Sequence, residues 1–516
     1  MTKFFLKFKE KAFGNPYLCA LSLVFLLVAA LSRFLYLGNK PIHFDESINM
    51  WFVKRIWEEG YFTYDPTNYH GPLLFYLIQF VQLFTGFDFL STRWVATVFS
   101  FLTLAALWFG PVAERRAFRW SAVFLLFSPA MGFYGRSGIH ESAFVFFQVL
   151  GFLSFHFLVA KEFKNFWWTF AASLLGMMAL KETFVILILA VIPALIMVWF
   201  TDIRKTNLKK WFNDLSASLQ QREVYFPLLV MLLLFIGVYS GFGAHPRGLI
   251  DFVVALMPWL KTGVHGNGHE KEFFHWLKFM ANNEYATFLV FFAGLPFVIK
   301  NKWLRFYFVF TFFLWLIYSL IPYKTPWCLI SILWPFALVA GFGLAEWTRK
   351  ISGWKEALFY AALLILFGGE FSLMYELMYR NPINMDHPYV YVNSTYQMKE
   401  FIEKTQALLK EDPLLREQIV QIGTEESWPM PIVFHNFYTL SYFKANARVE
   451  PEALIYMVDE KDQASMEAQL KERNHSALYQ VFSLRIRQSR SSVLVYLKKK
   501  YFENKFSWQL KEVGEL

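Results

Sequence analysis

Two cysteines, Cys19 and Cys328, are all that the 516 residues contain, and both lie inside apolar runs. Such a chain builds neither a disulfide framework nor a thiolate metal cluster. Charge is scarce too, at 17% of residues against 56% hydrophobic and 20% aromatic. The formal net charge of +10 does not point to nucleic acid. Most of the Lys and Arg sit in short loops between apolar runs, where the positive-inside bias collects them. No clear small-x-small cleavage site accompanies the N-terminal run YLCALSLVFLLVAALSRFLYL, which is longer than a signal-peptide core and reads as a retained anchor. No clear internal repeat is visible, of the kind expected of a transporter built from matching halves.

What is present is a succession of apolar runs, near 17–37, 72–88, 93–113, 119–135, 139–160, 166–180, 183–200, 224–243, 284–299, 303–321, 326–346 and 356–377. Each approaches the ~20 residues that cross a bilayer as a helix, so the expected fold is a polytopic α-helical membrane protein. Sidedness follows from charge. Lys3, Lys7, Lys9 and Lys11 put the N-terminus in the cytoplasm. If 72–88 crossed, the basic loops 114–119, 300–305 and 347–355 would all lie outside, against the rule. If it lies along the interface, they fall inside. The expectation is therefore eleven spans, twelve if 72–88 also crosses, in a membrane domain of residues 1–380 with outer loops at 38–92 and 244–283. Residues 381–516 have the composition of a soluble domain, placed outside the plasma membrane. Their expected order is strand (389–395), helix, strand (417–424), strand (453–459), helix and two strands, an α/β layer. No Gly-rich phosphate loop follows the first of these strands, so no nucleotide is assigned.

In this topology ionisable residues collect near span ends on the outer face: Asp45 and Glu46, His70, Arg136, His140 and Glu141, Lys181 and Glu182, His265 and His269, Tyr323 and Lys324. Charges held near a membrane normally face a cavity or one another, so they are expected to share one pocket. In HFDESINMWFVKRIWEEG (43–60), Ile48, Trp51, Phe52 and Ile56 make one stripe of a helix lying along the membrane surface. The bland reading makes Asp45 an N-cap and Glu46 a first-turn charge. The functional reading makes Asp45 a general base toward a hydroxyl, with Arg136 and Lys324 as cations for a leaving phosphate. Snorkelling is the bland account of Arg136, and a loop charge that of Lys324. Lys181 and Glu182 neutralise each other or their neighbours and support the site from behind. In GVHGNGHEKEFFHW (263–276), His265 and His269 are candidate ligands for a divalent metal ion, with His70, Glu141 or Glu46 as partners. Gly266 and Gly268 argue against a helix there, and a loop that closes over substrate is the competing account.

These motifs resemble, in order, the GT-C membrane glycosyltransferases: an Asp-Glu pair after the first span, HGPLLFYL (70–77), YGRSGIHES (134–142) and PYKTPW (322–327), with a WPMP stretch (428–431) that recurs beside them in one prokaryotic group. The chain is similar to protein O-mannosyltransferases and to the transferases that add aminoarabinose to lipid A, and most similar to a prokaryotic group of flippase-activity-associated membrane proteins. The resemblance covers roughly residues 15–435. It implies a polyprenyl-phosphate-linked sugar donor entering from the membrane lipid, and a glycan, lipid or protein acceptor on the outer side. It also implies that Asp45 is the base with Glu46 beside it; Tyr323, next to Lys324, joins Arg136 and Lys324 as a candidate for the donor phosphate. One departure is local. Where aminoarabinose transferases read Lys-Pro-Pro, this chain has His70-Gly71-Pro72, and neutral His is a weaker phosphate partner. The rival readings are a lipid-linked oligosaccharide translocator or its accessory, and an idle scaffold whose outer domain binds a partner.

Overall fold

The computed structural model describes residues 15–503 except 69, 161–165, 199, 202–219, 266–267, 444–448, 450–451 and 488–491. The four N-terminal lysines that set sidedness, and the basic stretch 203–210, lie outside the described residues. The chain divides into two compact units, Met1–Leu37 with Arg55–Asn381, and Gly38–Lys54 with Pro382–Leu516.

The first unit is helical, with a helix on each of the twelve apolar runs. Among the described residues, seven helices are long and apolar enough to cross a membrane, and four shorter apolar ones join them: Leu73–Thr85, Phe166–Leu180, Phe184–Val198 and Tyr285–Phe297. At 13 residues, Leu73–Thr85 is about 20 Å long, short of a hydrocarbon core ~30 Å thick. The run 119–135 is broken at Ser128. Its hydroxyl accepts the Met131 N–H at 3.1 Å, and Pro129 fills the first helical position of a new short helix, Pro129–Tyr134, an efficient restart signal.

The core of this unit is the helix Leu329–Trp347, buried at every residue from Leu329 to Ala345. A helix apolar on all sides is stable only when others wrap it. The glycines of its GFG stretch allow them close. A Cβ on Gly341 would stand 2.5 Å from the Ala117 carbonyl oxygen, and one on Gly343 would stand 2.5 Å from the Gly294 Cα. Two fully buried carboxylates pin neighbouring helix starts. Glu284 accepts the Ala130 N–H at 2.7 Å, and Glu370 accepts the Ala286 N–H at 2.8 Å. Both place a carboxyl oxygen where the free N–H groups of a helix N-terminus need an acceptor.

The second unit is built on a five-stranded sheet ordered β2-β1-β3-β5-β4, with β1 Ile419–Gly423, β2 Thr439–Tyr442, β3 Ile455–Asp459, β4 Tyr479–Leu484 and β5 Val493–Lys498. β1 runs parallel to β2 and β3, and β5 antiparallel to β3 and β4. Ile455 to Val458 are all buried, as in a strand covered on both faces. The helix Tyr396–Glu411 buries Phe401, Ile402, Leu408 and Leu409. The helix Gln463–Glu472 adds Met466 and Leu470 to a cluster with Tyr456, Val458, Leu494 and Tyr496. The expected strand at 389–395 does not form. Val392 takes a left-handed φ of 49°, and only isolated bridges, His43 to Asn393 and Ser394 to Arg487, remain there. β2 was not foreseen, because its alternation, Thr-Leu-Ser-Tyr, lasts only four residues, all half-buried or exposed.

Candidate active site

The helix Phe44–Glu59 begins in the second unit. Its cap is His43, whose backbone N–H donates to Glu46 Oε2 at 2.9 Å. That is the N3-to-N-cap half of a capping box. The local reading therefore shifts: the N-cap is His43 rather than Asp45, and Glu46 closes the turn. Glu46 is 1% exposed, whereas Asp45 is half-buried. The Asp45 N–H donates to His43 Nδ1 at 3.1 Å. Tyr391 is near enough that its hydroxyl pKa is pushed up, by burial first and by the Asp45 charge second. Of the expected stripe Phe52 and Ile56 are buried, together with Glu46, Asn49, Met50 and Val53, while Ile48 and Trp51 are half-buried, so the sheltered face is in part the one expected and extends onto polar positions.

In the first unit, five of the expected residues come together. His70 Nδ1 lies 3.0 Å from Glu182 Oε2, and the rings of His70 and His140 are 4.8 Å apart. Lys181 donates to Glu141 in a buried ion pair. Burial alone would lower the Lys181 pKa, but the adjacent Glu141 carboxylate overcomes it and holds the ammonium well above its ordinary value. The HGP sequence explains itself here. Gly71 donates its N–H to the Leu180 carbonyl at 3.1 Å, and a Cβ on it would fall 2.2 Å from the Ala179 oxygen. Only glycine fits, and its fit brings His70 to Glu182.

Arg136 is 5% exposed and donates to the carbonyls of Ser32 at 3.2 Å and Arg33 at 3.1 Å, with its guanidinium 4.9 Å from the Tyr379 ring centroid. Two further buried arginines lie close by, and the sequence reading passed over both. Arg33 bonds Ser100 Oγ at 3.1 Å and the Leu125 carbonyl at 3.1 Å, and Arg93 bonds the Leu37 carbonyl at 2.7 Å. Both look like ordinary charges near span ends. The signal was their position inside apolar stretches, where a cation needs an anion or a carbonyl. Burial lowers the Arg136 pKa to about 10, against the help of Tyr379 and with a smaller push from the Arg93 charge. No carboxylate pairs with Arg33 or Arg136 among the described residues.

Lys324 is 3% exposed and donates to the carbonyls of Ile321 at 2.6 Å and Lys271 at 3.1 Å. Burial lowers its pKa, and it too has no carboxylate partner among the described residues. Its neighbour Tyr323 stacks edgewise on His269, ring centroids 5.0 Å apart. The histidine pair proposed for metal gains no third ligand, because among the described residues no three His, Cys, Asp or Glu side chains converge. His265 ends the helix Leu256–His265, directly before Gly266, so the two histidines do not share one helical face. The His265 Nδ1 bonds the Lys261 carbonyl at 2.9 Å.

Residues 69–218 match the family described as dolichyl-phosphate-mannose-protein mannosyltransferase. No curated protein sequence matches the chain. In fold it is similar to ArnT from Cupriavidus metallidurans. The apo structure aligns at a TM-score of 0.62 and 10% identity over 93% of this chain and 98% of that one. The structure bound to undecaprenyl phosphate aligns at 0.59 and 11%, over 92% and 97%. The chain thus has the GT-C fold, a helical membrane part and a small sheet domain.

Proposed function

We propose that the protein is a membrane glycosyltransferase that moves a sugar from a polyprenyl-phosphate donor to an acceptor hydroxyl on the extracytoplasmic side. The observation that carries this reading is the arginine group. Three guanidiniums are buried together, and Arg33 and Arg136 face carbonyls rather than carboxylates. Holding cations out of water costs several kcal/mol each (roughly, after relaxation) unless an anion answers them. A lipid phosphate is such an anion, and in the matching fold ArnT has been captured with undecaprenyl phosphate. Arg136 offers it a planar fork, and Lys324 a second positive charge with N–H capacity beyond its two carbonyls.

In the proposed reaction Asp45 takes the proton from the acceptor hydroxyl as its oxygen attacks the anomeric carbon. The bond from that carbon to the phosphate oxygen breaks, and the polyprenyl phosphate leaves with the bonding pair. Arg136 and Lys324 stabilise the charge it gains. Glu46, closing the helix start, fixes the direction in which Asp45 points. The paired His70–Glu182 and Glu141–Lys181 side chains hold the loops around them rather than touch the sugar.

The test is transfer from labelled polyprenyl-phosphate sugars by purified protein in liposomes. Asp45→Asn should lower turnover by about 10²–10⁴ with little change in donor KM, while Arg136→Gln should raise donor KM as well as lower turnover. Undiminished transfer by Asp45→Asn would remove the base assignment.

A further inference from the structure

The second unit carries a cavity of about 380 Å³ at a place where its topology creates one. The chain leaves β1 through the short helix Met430–Val433 toward β2 on one side. It leaves β3 through Gln463–Glu472 toward β4 and β5 on the other. Two adjacent parallel strands whose exits diverge leave a crevice beyond their carboxyl ends, the usual seat of a ligand in an open α/β sheet. Glu425 and Glu426 line it from the β1 side, and Asp459, Glu460 and Lys461 from the β3 side. Its volume falls in the range of small-molecule sites.

The lining has a definite chemistry. Trp428 forms one wall and is held there by edge-on contacts with Phe44, at 6.5 Å, and Trp51, at 6.2 Å between centroids. Arg487 also lines the cavity. It is ion-paired with Glu426 and stacked 4.0 Å from the Phe44 ring centroid. The Glu426 side chain keeps 35% of its exposure. Beyond these, the Asp459 carboxylate accepts the Glu425 N–H at 2.8 Å. A fixed indole beside a fixed carboxylate–guanidinium pair offers a flat apolar surface, an acceptor and a donor at once. That combination suits the C–H face and vicinal hydroxyls of a pyranose. Four carboxylates against two cations disfavour an anionic sugar by like-charge repulsion and favour one bearing an amine.

We propose that this crevice binds a neutral or amino-bearing saccharide unit, through Trp428, Glu426 and Arg487. The proposal stands apart from the transfer reading, since none of these residues is assigned a part in that chemistry. The experiment is ligand-observed saturation-transfer NMR on the full-length protein in nanodiscs. Its probes are methyl hexosides, methyl hexosaminides and methyl hexuronides. Saturable binding of hexosides and hexosaminides is expected, with hexuronides the weakest. Glu426→Gln and Trp428→Ala should each weaken binding about tenfold, the loss of one charge-assisted hydrogen bond or one stacking surface. Glu452→Gln, whose carboxylate meets Lys498 and His475 instead, should bind as wild type. Should thermal melting show that Trp428→Ala does not fold, the conservative Glu426→Gln decides. Absence of saturable binding by every hexoside and hexosaminide overturns the proposal, as does binding untouched by Glu426→Gln or strongest for hexuronides.

Discussion

Lys181 and Glu141 form an ion pair inside the helical unit with both partners sheltered from water, their side chains 7% and 5% exposed. Each is tolerable only because of the other. Removing one partner of such a pair leaves a buried charge, at a cost of about 3–5 kcal/mol, whereas replacing both by apolar groups of similar size is often neutral. Lys181→Met and Glu141→Leu should therefore each lower the thermal midpoint in detergent by many degrees, and the double variant should recover most of the loss. A double variant as unstable as the singles would show that the pair is not the source of the effect. Because Lys181 has a raised pKa in the fold, its contribution is complete below the ordinary lysine value near ~10.4. It fades as pH climbs through the higher folded value, so the difference between wild type and Lys181→Met should shrink only in strong alkali. Residue types near span ends are legible in the sequence, and their partners are not. Lys181 and Glu182 stand side by side, yet each pairs with a residue from another segment, Glu141 and His70. Arg33 and Arg93 were overlooked for the same reason, since what sets them apart from snorkelling arginines is the burial of their surroundings.

At the scale of the element, apolar run length located the helices, while their interruptions and sheltered faces depended on neighbours. The break at Ser128 was legible in principle from a Ser-Pro pair inside the run. The sheltered stripe of Phe44–Glu59 was legible only in part, at Phe52 and Ile56, because Glu46 and Asn49 are buried polar residues that a count of hydrophobic positions assigns to the outside. The glycines that let helices meet are a third case. Gly294 and Gly343 face each other so closely that a Cβ on Gly294 would lie 3.1 Å from the Gly343 Cα. Gly343→Leu would force the helices Tyr285–Gly294 and Leu329–Trp347 apart, and overpacking of this kind costs typically ~1–3 kcal/mol. A clear fall in melting temperature is expected. Gly368→Leu should leave it unchanged within a degree or two, since nothing lies within 4 Å of a Cβ built at Gly368. Equal effects at the two positions would show that close approach at Gly343 is not what its glycine supplies.

For the whole molecule, composition changes near residue 380, but compactness does not follow the chain. The segment Gly38–Lys54, between two apolar helices in sequence, belongs to the same unit as Pro382–Leu516. Backbone bonds tie the two pieces, from Phe44 to the Val392 carbonyl at 3.3 Å and from Ser394 to the Ile42 carbonyl at 2.9 Å, and the Ser394 hydroxyl adds 2.8 Å to the same oxygen. Phe44 and Trp51 pack on Trp428. Three hydrogen bonds at about 0.5–1.5 kcal/mol each and two aromatic pairs at about 0.5–1.5 kcal/mol each make a large share of the ~5–15 kcal/mol by which a domain is stable. A sequence scan cannot see this, because the contacts join residues more than three hundred positions apart through types common in any loop. Residues 382–516 expressed alone should therefore be cut rapidly by a nonspecific protease and bind a dye for exposed apolar surface. The same residues preceded by 38–54 through a flexible linker should resist cleavage. A further version carrying Trp51→Ala in the tethered segment should fall between the two. If 382–516 alone were as resistant as the tethered form, the first outer segment would be a passenger on a domain that folds without it, and the position of Asp45 would have to be set by the helical unit instead.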